Sequence, residues 1–227
     1  MLDYHISYNN PHRHFVDFQL STSANGLDKM LFQLSAWRPG RYELANFSQN
    51  IRNWNVFDSD GHSLQFRKLN KDLWEVDTKG IDSITVSYSF YANQLDAGAC
   101  YLDEHQLYLN PVHCFFYIDG RMDEEYSLTF DLPDSYKVAS SLTKKNDCLL
   151  ASNYDILAES PIICSDKLQH NLYTIDGVKF HLWFQGECDL DWDRLINDFE
   201  AFTKSQIDHF GGFPVDEYHY LFQITPY

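Results

Sequence analysis

The sequence predicts a mainly β fold, an antiparallel sandwich or saddle of sheets, followed by the opening of an α/β domain. Three observations carry this. Short apolar segments alternate with polar residues close to a period of two, turn residues recur between them, and near residue 177 the period changes to that of a helix. The expected division is an all-β N-terminal domain over residues 1–170 and a second, unfinished unit over 171–227.

Taken in order, Phe15, Val16, Phe18 and Leu20 interleave with Asp17 and Gln19 as a half-buried strand. Asn25-Gly26 is a hairpin-type signal ahead of the strand Met30 to Leu34. Trp54, Val56 and Phe57 form another, closed by Asp60-Gly61. Leu73 to Val76, Ile84 to Phe90, Leu107 to Leu109, Tyr126 to Leu132 and Tyr136 to Ala139 continue the pattern. Val178 to Phe184 is one more strand. Trp192, Leu195, Ile196, Phe199 and Phe202 then share one face of a helix, with Asp189 or Asp191 to cap it and Gly211-Gly212 to end it. Tyr218 to Ile224 reads as a buried strand before Pro226-Tyr227.

The 227 residues are 44% hydrophobic and 16% aromatic, enough for a sizeable core. A formal charge of −16 would repel a phosphate backbone, which argues against nucleic acid as a partner. The acidity suits solubility, or a cationic partner. Five cysteines, Cys100, Cys114, Cys148, Cys164 and Cys188, include no C-x-x-C pair and read as free thiols in a reducing compartment. No apolar run reaches the roughly 18 residues of a membrane helix. Met1-Leu2-Asp3-Tyr4-His5 lacks the basic start of a signal peptide, so a cytoplasmic location is expected unless a signal peptide has been removed.

Candidate chemistry is sparse. His12-x-His14 would place two imidazoles on one strand face, but no third ligand follows at a metal-binding spacing. His113-Cys114, as neighbours on a strand, would point to opposite faces and could not act as a base and nucleophile. Asp103-Glu104 and Asp123-Glu124-Glu125 read as solvated loop charges. H-E-x-x-H, which puts two zinc-binding histidines one helical turn apart with a glutamate to activate water, is absent; Asp103-Glu104-His105 and Asp216-Glu217-Tyr218-His219 do not fit it. No catalytic and no metal-binding residue is therefore assigned.

Four longer segments carry more information. They are Trp37-Arg38-Pro39-Gly40-Arg41-Tyr42 with Asn46 to Ile51; Leu109-Asn110-Pro111 with Phe115-Phe116 and Gly120; Ala151 to Pro161, including Tyr154-Asp155; and His209-Phe210-Gly211-Gly212-Phe213-Pro214 running into Tyr218 to Phe222. In this order they resemble the N-terminal portion of the glycyl aminopeptidase family of zinc metallopeptidases, relatives of aminopeptidase N. Physical roles exist without the family. Pro39 and Gly40 make a turn, with Trp37 and Tyr42 expected to anchor it by burial, and Ser152 is placed to cap a short helix that Pro161 stops.

The resemblance implies that residues after about 171 open a thermolysin-like catalytic domain, and that a glycine-rich segment and the zinc helix would come after Tyr227. It implies a zinc-dependent parent that removes small N-terminal residues such as glycine from peptides. This stretch would line part of the substrate cleft, through Tyr101, Tyr108 and Asn110, and would dock the catalytic domain. No cofactor is expected in this stretch, with zinc in the parent. By itself the chain is expected to be inactive and to self-associate, or fold back, through its C-terminal strand. The rival expectation is a free-standing β-sandwich module that binds carbohydrate or protein, for which five Trp and 15 Tyr supply material.

Overall fold

The computed structural model describes residues 1–225; Pro226 and Tyr227, where the last strand was expected to stop, lie outside the described residues. The chain forms two compact units: residues 1–133 with 142–162, and residues 134–141 with 163–227. Its elements are β1 (Leu2–Ser7), β2 (Phe15–Ser23), β3 (Lys29–Leu34), β4 (Ile51–Asp58), β5 (Phe66–Lys68), β6 (Leu73–Asp77) and β7 (Ser83–Tyr91). Next come β8 (Tyr101–Leu102), β9 (Gln106–Leu109), α1 (Pro111–Cys114), β10 (Phe116–Ile118), β11 (Tyr126–Phe130), β12 (Lys137–Ala139), β13 (Thr143–Lys145) and β14 (Cys148–Ala151). The last are α2 (Tyr154–Ala158), β15 (Ile162–Ser165), β16 (Gln169–Ile175), β17 (Val178–Gln185), α3 (Trp192–Phe210) and β18 (Glu217–Gln223).

The first unit is a β-sandwich, as the alternating pattern predicts. A seven-stranded sheet runs β13-β14-β11-β1-β2-β7-β4 and a four-stranded sheet runs β10-β3-β6-β5. Pairing is antiparallel except where β1 lies parallel to β11. Alternate residues of β2, Val16, Phe18 and Leu20, are buried, as the period of two requires. Aromatic rings fill the space between the sheets: Phe18 stacks on Tyr88 at 5.0 Å, and Tyr88 meets Phe116 edge-on at 4.9 Å. The Asn25-Gly26 turn does form, with both residues at positive φ, but it is not a hairpin. It passes the chain from β2 in one sheet to β3 in the other, because each strand's apolar face finds its partners elsewhere.

The second unit contains the sheet β16-β17-β18, together with the antiparallel pair β12 and β15. β17 and β18 are parallel, and α3 is the crossover between them. Tyr173, Phe180, Leu182 and Phe184 form a core on one face with Ile207 of α3. Asp191 caps α3 by accepting from Arg194 N at 3.1 Å, and Gly211 closes it at φ 80°. Two expectations need correction. Phe202 is 43% exposed, because the buried stripe turns at that level to Thr203 and Ile207. The last strand is half-buried, not buried: it is an edge of its sheet, and Glu217 and Tyr218 are exposed.

Candidate functional site

In Trp37-Arg38-Pro39-Gly40-Arg41-Tyr42, Arg41 N donates to Arg38 O at 3.1 Å, and Gly40 sits at φ +73°. Proline at the second position and a positive-φ glycine at the third are what a type II turn needs. The anchoring expectation fails: Tyr42 is fully exposed and Trp37 is 37% exposed, touching Tyr154 edge-on at 6.5 Å. The turn projects outward, so the residue after it meets solvent. What the turn aims inward is Arg38. Its guanidinium lies against Gly98, where a methyl group would overlap it.

Gly98 belongs to a loop held from two sides. Asp96 accepts from Gly98 N at 2.7 Å and from the Gln94 side chain. Ala97 O accepts from Tyr108 Oη at 3.1 Å and from Asn110 Nδ2 at 3.2 Å. Asn110 N is also bound to Cys100 Sγ at 3.3 Å. Tyr108 and Asn110 are thus buried residues that position this loop, and burial pushes the Tyr108 hydroxyl up to about 12. Tyr101 pairs with Tyr108 across the β8–β9 ladder and is half-buried.

His113 and Cys114 do not lie on a strand. Asn110 precedes, and Pro111 opens, the single helical turn α1, because proline at the first position is pre-set to helical φ. His113 is buried; Phe47 stacks on its ring at 3.7 Å, and its Nε2 has no hydrogen-bond partner among the described residues. Burial, then the nearby Arg38 cation, lowers its pKa to about 4, opposed by Asp96. These pieces enclose a cavity of about 240 Å³ whose walls include Arg38, Arg41, Phe47, Asn50, Gly98 and His113. Arg41 is exposed and pairs with Glu43 at 3.2 Å. Tyr101, Tyr108 and Asn110 are not among the lining residues. The sequence placed Arg38 and Arg41 only in a turn motif and weighed His113 only as a partner of Cys114, although two arginines flanking a Pro-Gly turn were a readable signal.

Tyr154 is fully buried, bonded to Ser35 Oγ at 2.9 Å and donating to Phe115 O at 3.2 Å. Asp155 stands in the first turn of α2, and Pro161 follows its end. The cap is Asn153, not Ser152: Asn153 is extended and its Oδ1 reaches Ile156 N at 2.9 Å. His12 and His14 also miss a shared strand face. His12 is in a 3-10 turn, and His14 has φ 57° and donates from Nδ1 to Leu102 O at 2.6 Å.

In the second unit, the sheet face away from α3 carries a histidine ladder. Ligand atoms of His181, Glu217 and His219 lie within 4.8 Å of one another. A zinc ion of the kind the resemblance implies does not fit them. Trp183 Nε1 donates to His219 Nδ1 at 3.2 Å, so the neutral ring carries its hydrogen on Nε2 and has no free lone pair. The His181 and His219 rings are stacked at 4.3 Å, so their in-plane lone pairs run side by side instead of converging. Glu217 is already held by Lys179 at 2.6 Å.

The match to known proteins is consistent with this architecture. A family model described as the Peptidase M61 N-terminal domain matches residues 3–166. The chain is similar to an aminopeptidase N family protein from Idiomarina loihiensis, with a TM-score of 0.91 and 26% identity over 99% of this chain and 39% of that one. It also shares a fold with an M1 zinc metallopeptidase from Deinococcus radiodurans, with a TM-score of 0.52 and 13% identity over 97% of this chain and 55% of that one. No curated protein matches it significantly. The chain spans well under two thirds of the length of both solved relatives. The match over most of its length means that this chain belongs to the Peptidase M61 N-terminal domain family.

Proposed function

We propose that this chain is the N-terminal part of a zinc-dependent aminopeptidase that removes small N-terminal residues such as glycine from peptides. The observation that carries the reading is the family match over residues 3–166 together with a fold likeness covering 99% of the chain. On this reading the β-sandwich is the N-terminal domain, residues after about 171 open the catalytic domain, and the zinc and its general base belong to sequence outside this chain. The chain's own part is to dock the catalytic domain and to wall part of the cleft. The open edge of β18 is where a further strand of that domain would add, and in the isolated chain it is a self-association surface. A cytoplasmic location goes with this reading.

The test is to sequence the coding region beyond Tyr227 and assay the full-length protein on glycyl, alanyl and leucyl reporter amides, with and without a chelator. An H-E-x-x-H segment and chelator-sensitive release, fastest for glycine and alanine, support the proposal. Absence of both ends it, and a leucine preference ends the small-residue part. Light scattering of the isolated chain over a concentration series tests the edge: a strictly monomeric species removes that element.

A further inference from the structure

The cavity beneath the Pro39-Gly40 turn has unused binding capacity. Among the described residues the Arg38 guanidinium donates no hydrogen bond, although the side chain is half-buried. His113 lines the same cavity, and its buried Nε2 likewise has no partner among the described residues. Buried donors and acceptors are almost always satisfied, so the unmet His113 Nε2, beside a solvent-reachable guanidinium held by no other side chain, points to a ligand. The charge at this place runs against the rest of the molecule. The chain carries −16 overall, yet the lining holds two arginines, Arg38 and Arg41, against one acid, Glu43. The nearby Asp96 is turned to Gly98 N and Gln94.

We infer that this cavity is a binding site for a carboxylate, with Arg38 as its fork and His113 Nε2–H as a second donor. Identifying the carboxylate as that of a peptide rests on the peptidase reading above. A planar guanidinium takes a carboxylate through two parallel N–H···O bonds, which a lysine would not do. Gly98 makes this possible: without a Cβ it leaves room for a terminal nitrogen of the guanidinium, which a methyl group would displace. The volume of about 240 Å³ equals roughly eight waters. That suits a terminal glycine or an acidic side chain, and is below the range of drug-sized ligand pockets. Phe47 covers the His113 ring, and Arg41 at the mouth, tethered to Glu43, is a weaker second cation. A carboxylate is favoured over a phosphate dianion because Glu43 and the acidic surroundings penalise the second charge.

The experiment uses the chain as it stands. N-acetyl-glycyl-glycine, its C-terminal amide and inorganic phosphate are titrated by calorimetry, with the His113 ring signals followed by NMR. The acid is expected to bind saturably, with the amide and phosphate each at least about tenfold weaker, and to move the His113 signals. Arg38→Gln should weaken the acid at least about tenfold with an unchanged melting temperature, because the guanidinium makes no internal hydrogen bond to lose. Gly98→Ala should do the same by displacing the guanidinium, and Arg41→Gln should have a smaller effect. Equal binding of acid and amide, tighter binding of phosphate, no binding at millimolar concentration, or an unaffected Arg38→Gln protein would overturn the inference. An active full-length peptidase whose isolated N-terminal chain ignores the acid sinks this inference alone; acid binding without peptidase activity sinks only the peptidase reading.

Discussion

Tyr4 and Phe116 join the two sheets of the sandwich through one oxygen. Tyr4 Oη donates to Phe116 O at 3.2 Å and accepts from Phe116 N at 3.0 Å, with both residues fully buried. β1 lies in the seven-stranded sheet and β10 in the other, so a single hydroxyl satisfies two backbone groups that neither ladder uses. Burial drives the Tyr4 hydroxyl far above its ordinary pKa, so it stays a donor at any working pH. Tyr4→Phe keeps the ring and strands both groups. It should cost about 2–4 kcal/mol in urea unfolding, with an unchanged slope. A loss below about 1 kcal/mol would show that the hydroxyl is dispensable.

Asn110→Ala removes one of the two bonds on Ala97 O and leaves Tyr108 holding the other. The expected stability loss is about 1 kcal/mol. The loop that carries Gly98 should loosen, so amide exchange at Gly98 and Ala99 should rise while exchange in β2 and β7 does not change. Carboxylate binding should weaken as well, through Arg38, since Asn110 does not line the cavity. Uniform exchange across the sandwich would assign Asn110 a purely global role.

Caps define the ends of α3, and each can be tested. Asp191→Ala removes the acceptor for Arg194 N and should cost about 1 kcal/mol. Gly211→Ala forces a side chain to φ 80° and should cost a similar amount. Asp189→Ala, outside the cap, should be close to neutral. Thermal melts followed by far-UV circular dichroism will rank the three, and an Asp189 effect equal to that of Asp191 would contradict the observed cap.

The longer alternating strands and α3 were legible because their signals are local, whereas β1, β5, β8, β10 and β13 to β16 were not read as strands. β2 shows its period of two within nine residues, and α3 shows its stripe and both ends. Pairing was not legible. β1 lies parallel to β11, with Leu2 opposite Tyr126, and no local pattern encodes a partner that far along the chain. The cavity was hidden for the same reason. Arg38, Phe47, Gly98 and His113 come from four separate segments, and only the fold brings them together. Within the motifs, Pro39-Gly40 announced the turn, but exposure of Tyr42 depends on which way that turn points. Likewise Pro111 announced a helical start that the apolar run around it concealed.

Lowering the pH should destabilise the protein in two separate steps. His113 has a folded pKa near 4 against an ordinary 6.5, so the two states bind protons equally above 6.5. As pH falls below 6.5 the unfolded chain takes up a proton that the folded chain refuses, and stability declines until about pH 4. The full difference is worth about 3 kcal/mol. The groups acting on His113 besides burial are the cations Arg38 and Arg41, which add to the shift, and Asp96, which opposes it. Glu124 behaves differently: its pairing with Arg121 at 2.6 Å lowers its pKa from 4.5 to about 2, so its contribution is complete above 4.5 and is lost toward 2. His113→Leu should therefore flatten the curve of unfolding free energy between about pH 6.5 and 4, and leave the decline below 4.5 caused by Glu124. Arg121→Met should do the reverse, with some slope left below 4.5 from Asp58, Glu75, Glu104 and Glu217, which hydrogen bonds and nearby cations also lower. Some slope will remain in the upper window from His170, His181 and His219 of the second unit, which burial also lowers. Wild-type and His113→Leu curves that run parallel from about pH 7 to 4.5 would mean that the His113 ring takes up its proton in the folded state as readily as in the unfolded chain.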